Sequence, residues 1–323
     1  MPSRALITGA TGFIGGHLLD TLVQKKWEIT CLVRPQSRTE NIEKFPVRII
    51  RGPMGSQDVL ERALEGQDYV FHLAARIRPA PPEVYDRANH RLTGDLANAC
   101  LRINPVVKRF VYVSSISVAG PSPPGQCLDE ASPPNPASTY GRTKLLGERA
   151  LMNIWDKLPA TIIRPPNVYG ARQQETEILI KLIGKRIVPL LKEEEKSTSL
   201  IYIKDLIQGI LLASKHPEAQ SQIYYLTDGR GYSWREIILI LKKYVLGDSV
   251  YLPFPEEIIY SLAWLADVVR AAGWRRLPFG RKVWNAMTRS RWLFSSSKAE
   301  KELGFRPFYS LDSGFKDMLA VRG

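Results

Sequence analysis

Short apolar runs punctuate the first half of the chain at 5–8, 29–33, 47–50, 69–73, 109–114 and 160–164. Each run is apolar almost without interruption, the pattern of a strand buried on both faces of a parallel sheet. Between the runs the period changes. Phe13, Ile14, Leu18, Leu19, Leu22 and Val23 recur every three or four residues, the spacing of an amphipathic helix. Further helices are predicted over 57–64 and 83–101, and another starts near Thr139, after a Pro/Ser/Gly-rich loop over 120–138. Strands separated by helices predict an α/β fold with a doubly wound parallel sheet. After Gly170 the rhythm loosens. Helices are predicted over 175–184, 204–215, 234–245 and 258–272, strands over 200–203 and 222–226, and a last short helix over 297–304. This part reads as a smaller, interleaved C-terminal substrate lobe. The expected division is 1–170 for the nucleotide-binding part and 171–323 for the lobe, with parts of 200–226 returning to the first.

Composition narrows the class. The 323 residues are 44% hydrophobic and 24% charged, which excludes a disordered chain, a collagen-like fibre and a disulfide-stapled miniprotein. Lys and Arg number 45 against 32 acids, a net charge of +13 that favours anionic partners but says nothing about fold. Cys31, Cys100 and Cys127 are far apart and odd in number, so reduced thiols and a cytoplasmic setting are expected. His17, His72, His90 and His216 show no ligand spacing, and no metal site is expected. No apolar stretch reaches the ~18 residues that suggest a membrane-spanning helix.

The turn after the first predicted strand carries the first chemistry. Residues 8–15 read Thr-Gly-Ala-Thr-Gly-Phe-Ile-Gly, with Gly9, Gly12 and Gly15 between a strand and a helix. Such a turn is tight, lets backbone approach a pyrophosphate, and aims free helix N–H groups at the anion. The string Thr8–Gly15 resembles the extended short-chain dehydrogenase/reductase superfamily, the NAD-dependent epimerase/dehydratase group. The resemblance continues in Phe71-His72-Leu73-Ala74-Ala75, Val113-Ser114-Ser115, Tyr140-Gly141-Arg142-Thr143-Lys144 and Arg164-Pro165-Pro166-Asn167-Val168-Tyr169-Gly170. It returns near the end in the segment running from Ser297 to Pro307. It implies a Rossmann fold and a homodimer.

Tyr140 and Lys144 stand four apart in a predicted helix and share one face. A nearby ammonium would favour the tyrosinate, so Tyr140 is the candidate acid/base. Ser115 is the candidate partner for the substrate oxygen, where charge develops. The resemblance implies that Lys144 also holds the nicotinamide ribose. It implies cofactor contacts at Gly9, Thr11, Gly12, Phe13, Ile14, Gly15, Met54, Leu73, Ala74, Ala75, Asn89, Pro165, Asn167 and Val168.

The second predicted strand ends in Arg34, 19 residues past Gly15, where an acid on the ribose 2′-OH is usual. With Arg38 close behind, an arginine fork suits a 2′-phosphate, so NADP(H) is preferred and NAD(H) remains possible. Pro53 stands where the family often carries an acid near the adenine.

Departures from the family pattern bear on the reaction. Dehydratases of the superfamily carry Asp-Glu after the Ser/Thr; here the pair is Ile116-Ser117. Val118-Ala119-Gly120 replaces the family's Val-Tyr-Gly and argues mildly against a sugar-nucleotide epimerase. Arg34 with Cys31-Leu32-Val33 looks like the dihydroflavonol-reductase and 3β-hydroxysteroid-dehydrogenase branches. The expected reaction is therefore NADP-dependent interconversion of a secondary alcohol and a ketone on a small, apolar substrate. The alternatives are an NAD-dependent nucleotide-sugar epimerase and a non-catalytic dinucleotide sensor.

The span from Arg270 to Arg291 holds seven cations and no acid, behind an apolar helix predicted over 258–272. It reads as lobe core followed by a solvated basic loop. The segment 258–291 would also suit peripheral contact with the inner face of an anionic membrane, an apolar substrate, or a nucleotide diphosphate. No nucleic-acid-binding module is recognisable, and no nucleic-acid partner is expected.

Overall fold

The computed structural model describes residues 2–173, 176–177, 180, 187–191, 197–245, 250–254 and 291–320. Seven parallel strands form the central sheet: β1 (Arg4–Thr8), β2 (Glu28–Val33), β3 (Arg48–Arg51), β4 (Tyr69–His72), β5 (Arg109–Val113), β6 (Ala160–Arg164) and β10 (Gln222–Tyr225). Their order is β10-β6-β5-β4-β1-β2-β3. The order reverses at β1, whose neighbours are β2 on one side and β4 on the other. That is the switch point of a doubly wound sheet, where ligands bind beyond the carboxyl ends of the strands.

Successive side chains of a strand point to opposite faces, and the core divides accordingly. Ala5, Ile7, Cys31, Phe71, Val111 and Ile163 face a cluster that includes Leu18, Leu19 and Leu22 of α1 (Phe13–Gln24) and Leu206 and Ile210 of α6 (Ile203–Lys215). Leu6, Leu32, Val70, Phe110, Tyr112 and Ile162 face the other cluster. There they meet α2 (Gln57–Leu64), α4 (Leu92–Ile103) and Leu151 of α5 (Thr139–Met152). Each fully buried Leu, Ile or Phe contributes about 1.5–3 kcal/mol.

The helix expected over 83–101 is broken in register. α3 (Pro82–Asp86) and α4 are joined by a π-helical turn, Arg87–Arg91, and periodicity alone cannot reveal the extra residue. Outside the main sheet, β7 (Asn167–Tyr169), β9 (Ser197–Tyr202) and β11 (Gly231–Ser233) form a three-stranded sheet, and β8 (Ile187–Leu191) pairs with β12 (Val250–Phe254). α7 (Trp234–Lys242) opens with a capping box between Ser233 and Glu236 and ends three residues before the expected limit. α8 (Ser297–Leu303) stops at Gly304, whose φ of +65° is the left-handed conformation glycine adopts most readily. A further helix, α9 (Leu311–Ala320), lies beyond the last one expected and buries Leu311, Phe315 and Met318. The helix expected over 258–272 and most of the one over 175–184 lie outside the described residues. So does the segment 258–291, apart from Arg291.

Cys31, Cys100 and Cys127 are free, and burial pushes the first two thiols up to about 12. Among the described residues no group of His, Cys, Asp and Glu could hold a metal ion. No helix among them is long and apolar enough to cross a membrane.

Candidate active site

The glycine turn lies at the carboxyl end of β1, at the switch point. Gly9 has a φ of +78°, and a Cβ there would stand 2.7 Å from the backbone nitrogen of Ala74. A Cβ on Gly15 would collide with the carbonyl of Gly9. Gly12 is the N-cap of α1, with no side-chain cap and no acid in the first turn. The helix therefore presents uncapped N–H groups beside Thr11, Phe13 and Ile14. This glycine-walled cradle fits the pyrophosphate of a dinucleotide, so the residues present suit the group.

β4 delivers the facing wall. His72 is buried, with Nδ1 2.7 Å from Thr8 Oγ1 and Nε2 3.0 Å from Thr93 Oγ1. Burial lowers its pKa to about 3, with Lys144 adding to the effect, so the ring is neutral. Thr8 Oγ1 also accepts from the Ala74 N–H at 3.3 Å. Ala74, and Leu73 whose N–H bonds Thr8 O at 3.1 Å, are thus held against the glycine turn. Asn89, in the π-turn, accepts from the Arg76 N–H at 2.7 Å and donates to Arg76 O at 3.1 Å and Thr143 Oγ1 at 3.2 Å. Its amide is committed to fixing residue 76 on α5.

α5 begins at Ser138, whose Oγ accepts from the Gly141 N–H at 3.0 Å. That cap sets the first turn and points Tyr140 and Lys144 to one side. Ser115 follows β5 and caps a short 3-10 turn, Ile116–Val118, by accepting from the Ser117 N–H at 3.1 Å. The Ser115 hydroxyl donates to Ser117 Oγ at 3.1 Å, and its nearness to Tyr140 offsets part of that phenol's burial. The three candidates are therefore brought together from β5 and α5.

The electrostatics correct one expectation. Tyr140 is raised to about 12 rather than lowered. Desolvation by burial is the largest cause, partly offset by Ser115. Lys144 does not offset the burial, because of its direction. Its Nζ donates to Val113 O at 2.7 Å and lies 4.0 Å from the Tyr112 ring centroid, so the charge is spent on a carbonyl and an aromatic face. Lys144 itself is lowered to about 7 by burial, with Glu148 opposing.

Sequence reasoning passed over several neighbours. Tyr85 packs edge-on to Tyr140, centroids 6.5 Å apart, and its hydroxyl donates to Ile77 O at 3.3 Å and Arg78 O at 3.1 Å. Glu148 and Arg164 form a buried bidentate pair at 2.6 and 3.0 Å, and Arg164 also donates to Tyr225. A charge in each apolar element, one of them four past Lys144, was the available signal. Arg34 and Arg38 are exposed beyond β2 and, among the described residues, make no ion pair. Met54 is buried in the core cluster around Leu32 and Leu60. Pro165 is buried, whereas Asn167 is exposed and Val168 half-buried on β7; Asn167 Nδ2 donates to Thr198 Oγ1 at 3.3 Å.

The profile of the NAD dependent epimerase/dehydratase family matches residues 5–226. The chain belongs to that family. It is an NAD(P)-dependent oxidoreductase of the extended short-chain dehydrogenase/reductase type. It is 22% identical to a decarboxylating sterol-4-alpha-carboxylate 3-dehydrogenase of Dictyostelium discoideum, over 98% of this chain and 99% of that one. It is 27% identical to the UDP-glucose 4-epimerase of Vibrio cholerae, over 98% and 94%. The fold resembles that of UDP-glucuronic acid 4-epimerase from Bacillus cereus in complex with NAD, with a TM-score of 0.75, 23% identity and 99% of each chain covered.

Proposed function

We propose that this family member interconverts a secondary alcohol and a ketone on a small apolar substrate, with NADP(H) preferred over NAD(H). The observation that carries the proposal is the junction of Ser115, Tyr140 and Lys144 beside an uncapped, glycine-walled helix N-terminus. A bound nicotinamide dinucleotide supplies or accepts the hydride. In the reducing direction Ser115 Oγ donates to the substrate oxygen as negative charge builds there. Tyr140 gives its phenolic proton to that oxygen, and takes it back in oxidation. A phenol held at about 12 is a proton donor at neutral pH, which suits reduction. Lys144 keeps N–H groups for the ribose beyond the one it gives to Val113 O.

The rim supports an apolar substrate. Ile77 is 70% exposed and Val84 41% exposed, and Tyr85, whose hydroxyl bonds Ile77 O, leans on Tyr140. The similarity to a sterol dehydrogenase agrees with this reading. NADP(H) is supported by Arg34 and Arg38, both exposed and, among the described residues, neither in an ion pair where a 2′-phosphate would stand. Calorimetry with NADPH and NADH tests it. NADPH should bind at least about tenfold tighter, and Arg34→Ala should remove most of that difference. Equal or tighter NADH binding would refute the preference. The relation to UDP-sugar 4-epimerases supports a second reading, epimerisation with retained NAD. Purified protein already carrying NAD would favour it.

A further inference from the structure

Arg51 closes β3 beside Val33, the residue before Arg34, and the Gly52 N–H bonds Val33 O at 3.0 Å. Its guanidinium reaches back over the segment that follows β2. Nη1 donates to Pro35 O at 3.1 Å and to Ser37 O at 2.8 Å, and Nη2 to Thr39 Oγ1 at 2.7 Å. Thr39 is buried, and its hydroxyl donates to Glu43 at 2.6 Å. The Ser37 N–H closes a turn on Arg34 O at 3.0 Å. One side chain thus ties three points of a segment that follows exposed Arg34 and carries exposed Arg38. Among the described residues neither makes an ion pair; Glu43 is engaged by Thr39, and Glu40 is exposed.

We infer that Arg51 is a positioning residue for cofactor choice: it preforms the 35–39 turn so that Arg34 and Arg38 converge on the 2′-phosphate. The inference rests on the NADP reading above. A planar guanidinium with a rigid fork of donors suits this clamp, and an ammonium cannot hold all three acceptors in the same geometry. Without it the turn would have to be ordered on binding, and affinity would fall for the ligand that needs it ordered.

The probes are 2′,5′-ADP and 5′-AMP, which differ only in the 2′-phosphate, with dissociation constants read by calorimetry. The wild type should favour 2′,5′-ADP by about tenfold or more. Arg51→Ala should cut that ratio about fivefold while leaving 5′-AMP within about twofold. Arg51→Lys and Thr39→Val should fall between. The Arg51 side chain is exposed and lies outside the core clusters, so the variants should fold. In an Arg34→Ala/Arg38→Ala background, Arg51→Ala should have no further effect on the ratio. An unchanged ratio in Arg51→Ala, alongside a collapse in Arg34→Ala, would overturn the positioning role. A further loss in the double-substituted background would overturn it too, because Arg51 would then touch the phosphate itself. A wild type without preference for 2′,5′-ADP would instead reject the underlying NADP reading.

Discussion

Tyr140 and His72 show how single side chains are set by what surrounds them. Tyr140 is raised by burial, which Ser115 only partly offsets, so its proton is retained until an acceptor arrives. Tyr140→Phe is expected to lower kcat by about 10²–10⁴ while dinucleotide affinity, by calorimetry, stays near wild type. His72 is buried neutral, with both ring nitrogens engaged by Thr8 and Thr93. Its folded pKa of about 3 lies below the ordinary 6.5, so between these values the unfolded chain binds the extra proton. Stability should therefore rise with pH across that window and be lost as pH falls through it, with a slope up to about 1.4 kcal/mol per pH unit from this group. Denaturant unfolding between pH 4 and 7 checks this, and His72→Gln should flatten the slope. The Tyr-x-x-x-Lys spacing made Tyr140 and Lys144 legible in the sequence. The hold of Val113 O on Lys144 was not, because it depends on how α5 lies over β5.

At the scale of elements, Gly147 lets α5 approach the π-turn. A Cβ there would press on the Asn89 carbonyl and stand 2.6 Å from the Tyr112 hydroxyl. Gly147→Ala should destabilise the fold by about 1–3 kcal/mol, measured by chemical denaturation, because the neighbouring backbone must give way. It should also raise KM, since Asn89 fixes residue 76. The α2 and β6 bounds agree with those the hydrophobic pattern predicts, because Ser56 and Glu65 flank the first and Pro159 and Pro165 the second. The π-turn was hidden, since its one extra residue leaves the overall period helical. α9 was missed although Leu311, Phe315 and Met318 share a helical face.

For the whole molecule, the sheet order follows from the strand–helix alternation and the right-handed crossover that parallel strands require. The sequence could not show how α5, β6 and β10 lock together. That lock is the Glu148–Arg164 pair with Tyr225. Arg164→Met should cost about 3–5 kcal/mol by leaving a buried carboxylate unpaired, whereas pairing it with Glu148→Met should recover much of the loss. Thermal and denaturant unfolding of the single and double variants would separate the two. The pair was illegible because its members lie 16 residues apart on different elements. The central claim concerns the reaction itself. Its most direct test is the stoichiometry of NADPH consumed and alcohol formed with a panel of apolar ketones, in the wild type and in Tyr140→Phe. One alcohol per NADPH, with turnover lost in Tyr140→Phe, is the predicted result. No net NADPH consumption with any ketone, together with isomerisation of a nucleotide sugar on retained NAD, would contradict it.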